Sequence, residues 1–200
     1  MTTHVLTERL VRNDRSHQLV CDAALVMAGI LALAICAKIK VPIWPSPVPI
    51  TLGTFAVLSI GASYGPRLGL VTILGYMIVG ALGFDVFANS SAERNGLGYM
   101  IGGTGGYLVG YILAALALGA FARRGWDRNV ARMAVAMLIG NLLIYIPGLL
   151  WLQQFATGWE QTLAWGLWPF LVGDALKLVL AALLFPLLWN AIGRESAYGG

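Results

Sequence analysis

W-G-L-W-P-F-L-V-G-D-A-L-K-L-V-L-A-A-L-L-F-P-L-L-W-N-A-I, residues Trp165 to Ile192, is the stretch on which the fold turns. A helix needs about 20 mostly apolar residues to cross the hydrocarbon core of a bilayer, and this run is long enough. Its only charged residues are Asp174 and Lys177. Three residues apart on a helix, they share one face, and an ionisable residue at membrane depth costs about 2.5–3.5 kcal/mol on insertion scales. Such a pair implies a use.

The rest of the chain extends the same pattern. Its 200 residues are 58% hydrophobic and 11% charged, with a mean hydropathy of +0.77, which excludes an ordinary soluble domain. The expected fold is all-α, an integral membrane bundle of six transmembrane helices. The spans fall near residues 19–37, 50–64, 67–84, 99–121, 132–152 and 167–191, the second being short. Residues 1–18 then form a cytoplasmic N-terminal extension, 19–192 the membrane domain and 193–200 a cytoplasmic tail. The basic residues support that orientation. Segments assigned to the cytoplasm hold Arg9, Arg12, Arg15, Arg67, Arg123, Arg124, Arg128, Arg132 and Arg194, whereas the outer segments hold Lys38, Lys40 and Arg94. The net charge of +4 is therefore a membrane-topology signal and not a nucleic-acid footprint. Cys21 and Cys36 lie about 22 Å apart on one helix and cannot bond to each other.

Between the first two spans, the segment from Lys40 to Pro49 holds four prolines and Trp44, which makes it a stiff outer flap, either a plain linker or a lid over a ligand. Gly98, Gly102, Gly106 and Gly110 recur every fourth residue and predict close helix packing along the fourth span. Ala24, Ala28 and Ala32 form a second small-residue stripe, suited to internal packing or to docking a partner helix. The run from Gly61 to Gly65 matches a serine nucleophile elbow around Ser63, which raises an intramembrane serine hydrolase. Serine needs a base, and the two histidines, His4 and His17, stand in the polar N-terminal extension. No pair of histidines or cysteines has metal-ligand spacing, so no metal or cofactor is expected, and an enzyme is not the favoured reading. Asn89, near the outer end of the third span, can donate to and accept from a polar ligand, and Arg94 can meet an anion at the outer mouth.

Two readings of Asp174 and Lys177 stay open at this level: an ion pair that staples the bundle, or a donor and acceptor aimed at a ligand. Buried ion pairs seldom improve on apolar packing, which favours the ligand. Gly173 leaves space beside the helix, and Trp165, Trp168 and Phe170 offer an apolar wall.

Five blocks, in order, carry a family resemblance: V-P-I-T at 48–51, Y-G-P-R-L-G at 64–69, F-D-V-F-A-N at 84–89, G-G-T-G-G-Y-L-V-G-Y at 102–111 and W-P-F-L-V-G-D-A-L-K at 168–177. Over residues 20–192 the chain resembles BioY, the biotin-binding S components of energy-coupling-factor (ECF) transporters. The resemblance implies a six-helix protein of a prokaryotic cytoplasmic membrane that captures biotin from the outer side, with no catalysis of its own. It implies that Asp174, Lys177 and Asn89 contact the ligand, that Arg94 is a candidate for its carboxylate, and that the Ala24, Ala28, Ala32 stripe docks on a transmembrane coupling protein. Two ATP-binding subunits complete the implied module, since this chain has no Walker A sequence. Two positions depart from the commoner family form, Asp85 and Gly103 each standing where a proline is usual. S components for other vitamins, such as thiamine or riboflavin, are the nearest alternative.

Overall fold

Helices that are apolar on every side must satisfy their own main chain, because lipid offers no hydrogen-bond partners. The computed structural model describes residues 5–7, 15–41, 44, 48–91 and 95–198, with side chains defined over 5–7, 18–41, 44, 48–91 and 95–191. It runs α1 (Arg15–Lys38), β1 (Lys40–Val41), β2 (Ile50–Thr51), α2 (Gly53–Ala81), α3 (Gly96–Met100), α4 (Gly105–Ala122), α5 (Val130–Leu152), α6 (Trp159–Gly166) and α7 (Leu171–Tyr198). Single 3-10 turns at Trp126–Arg128, Gln153–Phe155 and Trp168–Phe170 join the later helices. Among the described residues, five helical stretches are long and apolar enough to cross a membrane. Leu33, Val57, Leu58, Ile73, Met137 and Ile144 fill the interior, while Met27, Leu31 and Ile35 of α1 and Val172, Leu176 and Leu187 of α7 point outward. That outward belt of large apolar residues is the surface of a multi-pass membrane protein.

Five stretches accommodate six expected spans because α2 contains two of them. Gly65 breaks it with φ 75° and ψ 177°, a conformation open to glycine, and Pro66 follows without an N–H to continue the ladder. A Cβ placed on Gly69 would lie 3.4 Å from the Cα of Gly61, although eight residues along a straight helix are about 12 Å apart. The chain therefore folds back at Gly65. Helix α4 seals this turn, since any side chain on Gly119 would strike the backbone of Pro66.

The fourth span differs from the expected continuous helix. It is broken into α3 and α4 by turns over residues 101–104, where successive glycines make helix costly and leave few side chains to pack. The glycine stripe accordingly splits. A Cβ on Gly110 would lie 2.6 Å from the Cα of Ile144 and one on Gly106 would collide with the Pro147 carbonyl, so these two bring α4 against α5. A Cβ on Gly98 meets nothing within 4 Å.

At the arginine-rich end, Val5, Leu6 and Thr7 are buried, Thr7 Oγ1 donates to the Ser63 carbonyl at 3.1 Å, and Val5 packs beside Gly65. A piece of the N-terminal extension thus belongs to the bundle. Nearby, Trp189 Nε1 donates to Asp127 Oδ2 at 2.5 Å and the Arg128 guanidinium lies 4.2 Å from the Trp189 ring centre. Asp127 is 1% exposed, and burial holds its carboxyl above the usual carboxylate range despite the tryptophan bond. Cys21 and Cys36 are both free thiols.

Candidate functional site

Asp174 enters the structure in the first turn of α7 and Lys177 follows one turn later, with Lys177 Nζ 2.9 Å from Asp174 Oδ1. The pair is joined by residues distant in sequence. Tyr145 of α5 donates its hydroxyl to Asp174 Oδ2, and Thr54 Oγ1 of α2 lies 3.4 Å from Oδ1. Lys177 Nζ also donates to the Thr51 carbonyl of β2 at 2.7 Å and to Thr54 Oγ1 at 3.1 Å. An ammonium has three N–H donors, and these three acceptors use them all.

This polar cluster forms one pole of a cavity. Lys177, Thr51, Thr54 and Tyr145 line it; Asp174, 5% exposed, stands behind them. Much of the remaining wall is aromatic, with Val48, Leu108 and Ile144 between the rings. Phe87 stacks on Tyr99 with centroids 4.9 Å apart and receives the edge of Tyr76 at 5.3 Å, while Tyr107 meets Tyr145 edge-on at 6.5 Å. Tyr76 also donates its hydroxyl to the Val86 carbonyl at 3.0 Å, which ties the segment after α2 to the wall. An enclosure with an apolar wall and one concentrated polar pole suits a ligand that is mostly hydrocarbon with a compact hydrogen-bonding head.

Asn89 is placed elsewhere. It lines a second cavity with Gly98, Gly102, Gly103, Leu152, Phe155 and others, and the two cavities share Tyr99 and Thr104 as lining residues. Its Oδ1 accepts from Lys40 Nζ at 3.1 Å. Phe170 lines the first cavity and Trp165 the second, while Trp168 is exposed. The space beside Gly173 holds Ile50, whose Cγ2 would lie 3.7 Å from a Cβ there. Arg94 lies outside the described residues. Val48 and Pro49, at the end of the proline-rich flap, line the first cavity and Trp44 is 92% exposed; residues 42–43 and 45–47 are outside the described set. Ser63 lines neither cavity, and neither histidine has a described side chain.

Asp85 has a role that its departure from the family form did not suggest. Its carboxylate pairs with Lys38 Nζ at 2.6 Å and accepts from Ser90 Oγ at 2.6 Å. Those two hydrogen bonds hold its carboxyl below the usual range.

A model of the BioY family matches residues 7–194. The chain belongs to the BioY family. It is 35% identical over 163 residues to a probable biotin transporter BioY of Pyrococcus horikoshii, covering 82% of this chain and 93% of that one. The biotin transporter BioY of Thermotoga maritima is 32% identical over 160 residues, covering 80% and 92%. The crystal structure of an S component for biotin from an ECF-type ABC transporter superposes with a TM-score of 0.73 at 20% identity, covering 86% of this chain and 93% of that one.

The aromatic wall and the pairing of Thr51, Thr54 and Tyr145 with the Asp174–Lys177 cluster were not read from the sequence. No periodic signal could have marked them, because lipid and protein interior are both apolar environments for a membrane helix.

Proposed function

We propose that this protein captures biotin in the first cavity and acts in its uptake as the S component of an ECF transporter. The observation that carries the reading is the polar pole, built from Lys177, Tyr145, Thr54 and Asp174, in a cavity of a BioY-family chain whose other walls are mostly aromatic and aliphatic. A ureido ring offers two N–H donors and one carbonyl acceptor. Lys177 donates to the carbonyl once it gives up the Thr54 hydroxyl, the longest of its three bonds. Tyr145, which spends its proton on Asp174, keeps lone pairs for a ureido N–H. Asp174 holds both groups in place and accepts the other N–H when Thr54 turns away. The fused rings lie against Tyr76, Phe87 and Tyr99.

The protein sits in a prokaryotic cytoplasmic membrane with the arginine-rich end and both termini in the cytoplasm and the cavities opening outward. A transmembrane coupling protein docks on Ala24, Ala28 and Ala32, which are all exposed on α1, and separate ATP-binding subunits drive delivery. Exposure of the stripe supports docking over internal packing.

Equilibrium binding of radiolabelled biotin to the detergent-purified chain tests the reading, with unlabelled biotin and thiamine as competitors. Saturable capture displaced by biotin alone is expected. Displacement by thiamine, or no capture by folded protein, refutes it.

A further inference from the structure

Phe87 joins the wall of the first cavity from a segment, residues 84–91, that is neither helix nor strand. Its ring is packed against Tyr76, Tyr99 and Gly80, where any Cβ would strike it. A segment with no ladder of its own depends on side chains to hold its main chain, and so to decide where that ring stands.

Those side-chain bonds converge on Ser90. Its Oγ accepts the Phe87 N–H at 3.0 Å, a bond buried from solvent, and lies 2.6 Å from Asp85 Oδ1 and 2.9 Å from the Phe87 carbonyl. A hydroxyl has one proton to give, and the carboxylate, charged and nearer, takes it. The lone pairs are then left to the Phe87 N–H. Lys38 closes the group from the last turn of α1, its Nζ 2.6 Å from the same carboxylate oxygen and 3.2 Å from the Ser90 carbonyl. Lys40 on β1 also faces Asp85, at longer range. The clasp bridges two parts of the cavity wall. Lys38 follows Ala37 and Asp85 stands two residues before Phe87; Ala37, Phe87 and Ala88 all line the cavity, whereas Lys38, Asp85 and Ser90 do not.

We infer that Lys38, Asp85 and Ser90 are positioning residues for ligand capture: their clasp ties α1 to residues 84–91 and sets where the Phe87 ring meets the ligand. The assignment rests on the biotin reading above and adds to it three residues that act through the wall and not by contact. The ion pair is partly exposed, 35% at Lys38 and 53% at Asp85, so its grip follows the ionic strength of the medium.

The test is a mutant cycle on equilibrium binding of labelled biotin to the full chain in detergent, with Tm of the ligand-free protein read alongside. Asp85→Ala weakens binding by about fivefold, the upper scale of an exposed ion pair. Lys38→Met weakens it less, because Lys40 still faces the carboxylate, and Lys38→Arg binds as the parent does. The double variant is no weaker than Asp85→Ala, since both substitutions open one clasp. Raised salt moves the parent toward Asp85→Ala and leaves that variant little changed. In a Phe87→Leu background the clasp substitutions change affinity by about twofold or less, because the ring they place is gone. A clasp that only stabilised the fold would instead act equally in both backgrounds. A parent that binds biotin while Asp85→Ala binds as tightly overturns the assignment, as does an Asp85→Ala effect that persists undiminished without Phe87. A loss in Lys38→Met larger than in Asp85→Ala also overturns it, because the ammonium would then act on the ligand directly. A folded parent that binds no biotin at all overturns the functional reading, and this inference with it.

Discussion

Replacing Lys177 with Met separates a staple from a ligand site when it is combined with Asp174→Asn. In the single variant Asp174 stays buried without its cation and keeps only the hydroxyls of Tyr145 and Thr54 as donors. Removing one partner of a buried pair costs about 3–5 kcal/mol; two remaining hydroxyl donors place this case near 3 kcal/mol. For a chain of this size each kcal/mol moves Tm by about 2–4 °C, so a fall of about 6–12 °C is expected. The double variant has no orphaned charge, and the amide oxygen that replaces the carboxylate still accepts from Tyr145. It regains most of the loss, leaving about 1 kcal/mol for the Thr51 carbonyl that has lost its donor. Thermal unfolding of the ligand-free protein in detergent reads these values, and equilibrium biotin binding is measured on the same samples. Both variants are expected to bind biotin at least tenfold more weakly than the parent. A double variant that recovers stability and also binds like the parent would reduce the pair to a staple; one no more stable than the single would refute the coupling.

Ala28→Trp on the exposed stripe of α1 is expected to block copurification with the coupling protein while biotin binding stays at the parental level; undiminished complex formation would return the stripe to lipid. Gly110→Val sets a side chain 2.6 Å from the Ile144 Cα and will lower Tm by several degrees or prevent folding, whereas Gly98→Ala, facing open space, leaves Tm within a degree or two. Asp127 gives a pH prediction of definite sign. Its folded pKa is raised by burial, so the folded state favours the protonated form; that stability is complete below the unfolded value of about 3.9 and is lost as pH climbs through the folded value. Asp127→Asn keeps an oxygen for Trp189 and removes this loss, so Tm of the parent relative to the variant will decline from pH 4 toward neutrality; parallel curves would refute it.

The membrane class and the spans were legible because 20-residue apolar runs have few other meanings, and the Asp174–Lys177 contact was legible because a three-residue step on a helix fixes it. The companions of that pair were not legible. Thr51 and Thr54 lie 120 residues or more away, and only the return of the chain at Gly65 and the packing of α2, α5 and α7 bring them to it. Asn89 was grouped with the pair by resemblance, yet the turns after α2 aim it at the neighbouring cavity. The fourth span was drawn as one helix because its residues are apolar throughout; the conformational cost of consecutive glycines decided otherwise.

The return at Gly65 also leaves α2 as two arms, each shorter than the hydrocarbon core of a bilayer. Residues 53–64 rise about 18 Å and residues 66–81 about 24 Å, against a hydrocarbon core near 30 Å. Lipids touching these two arms must shorten or tilt, at a fraction of a kcal/mol per Å of mismatch. Where these arms face lipid, the bilayer is expected to thin to meet them, so Tm in bilayers of shorter acyl chains should exceed that in longer ones.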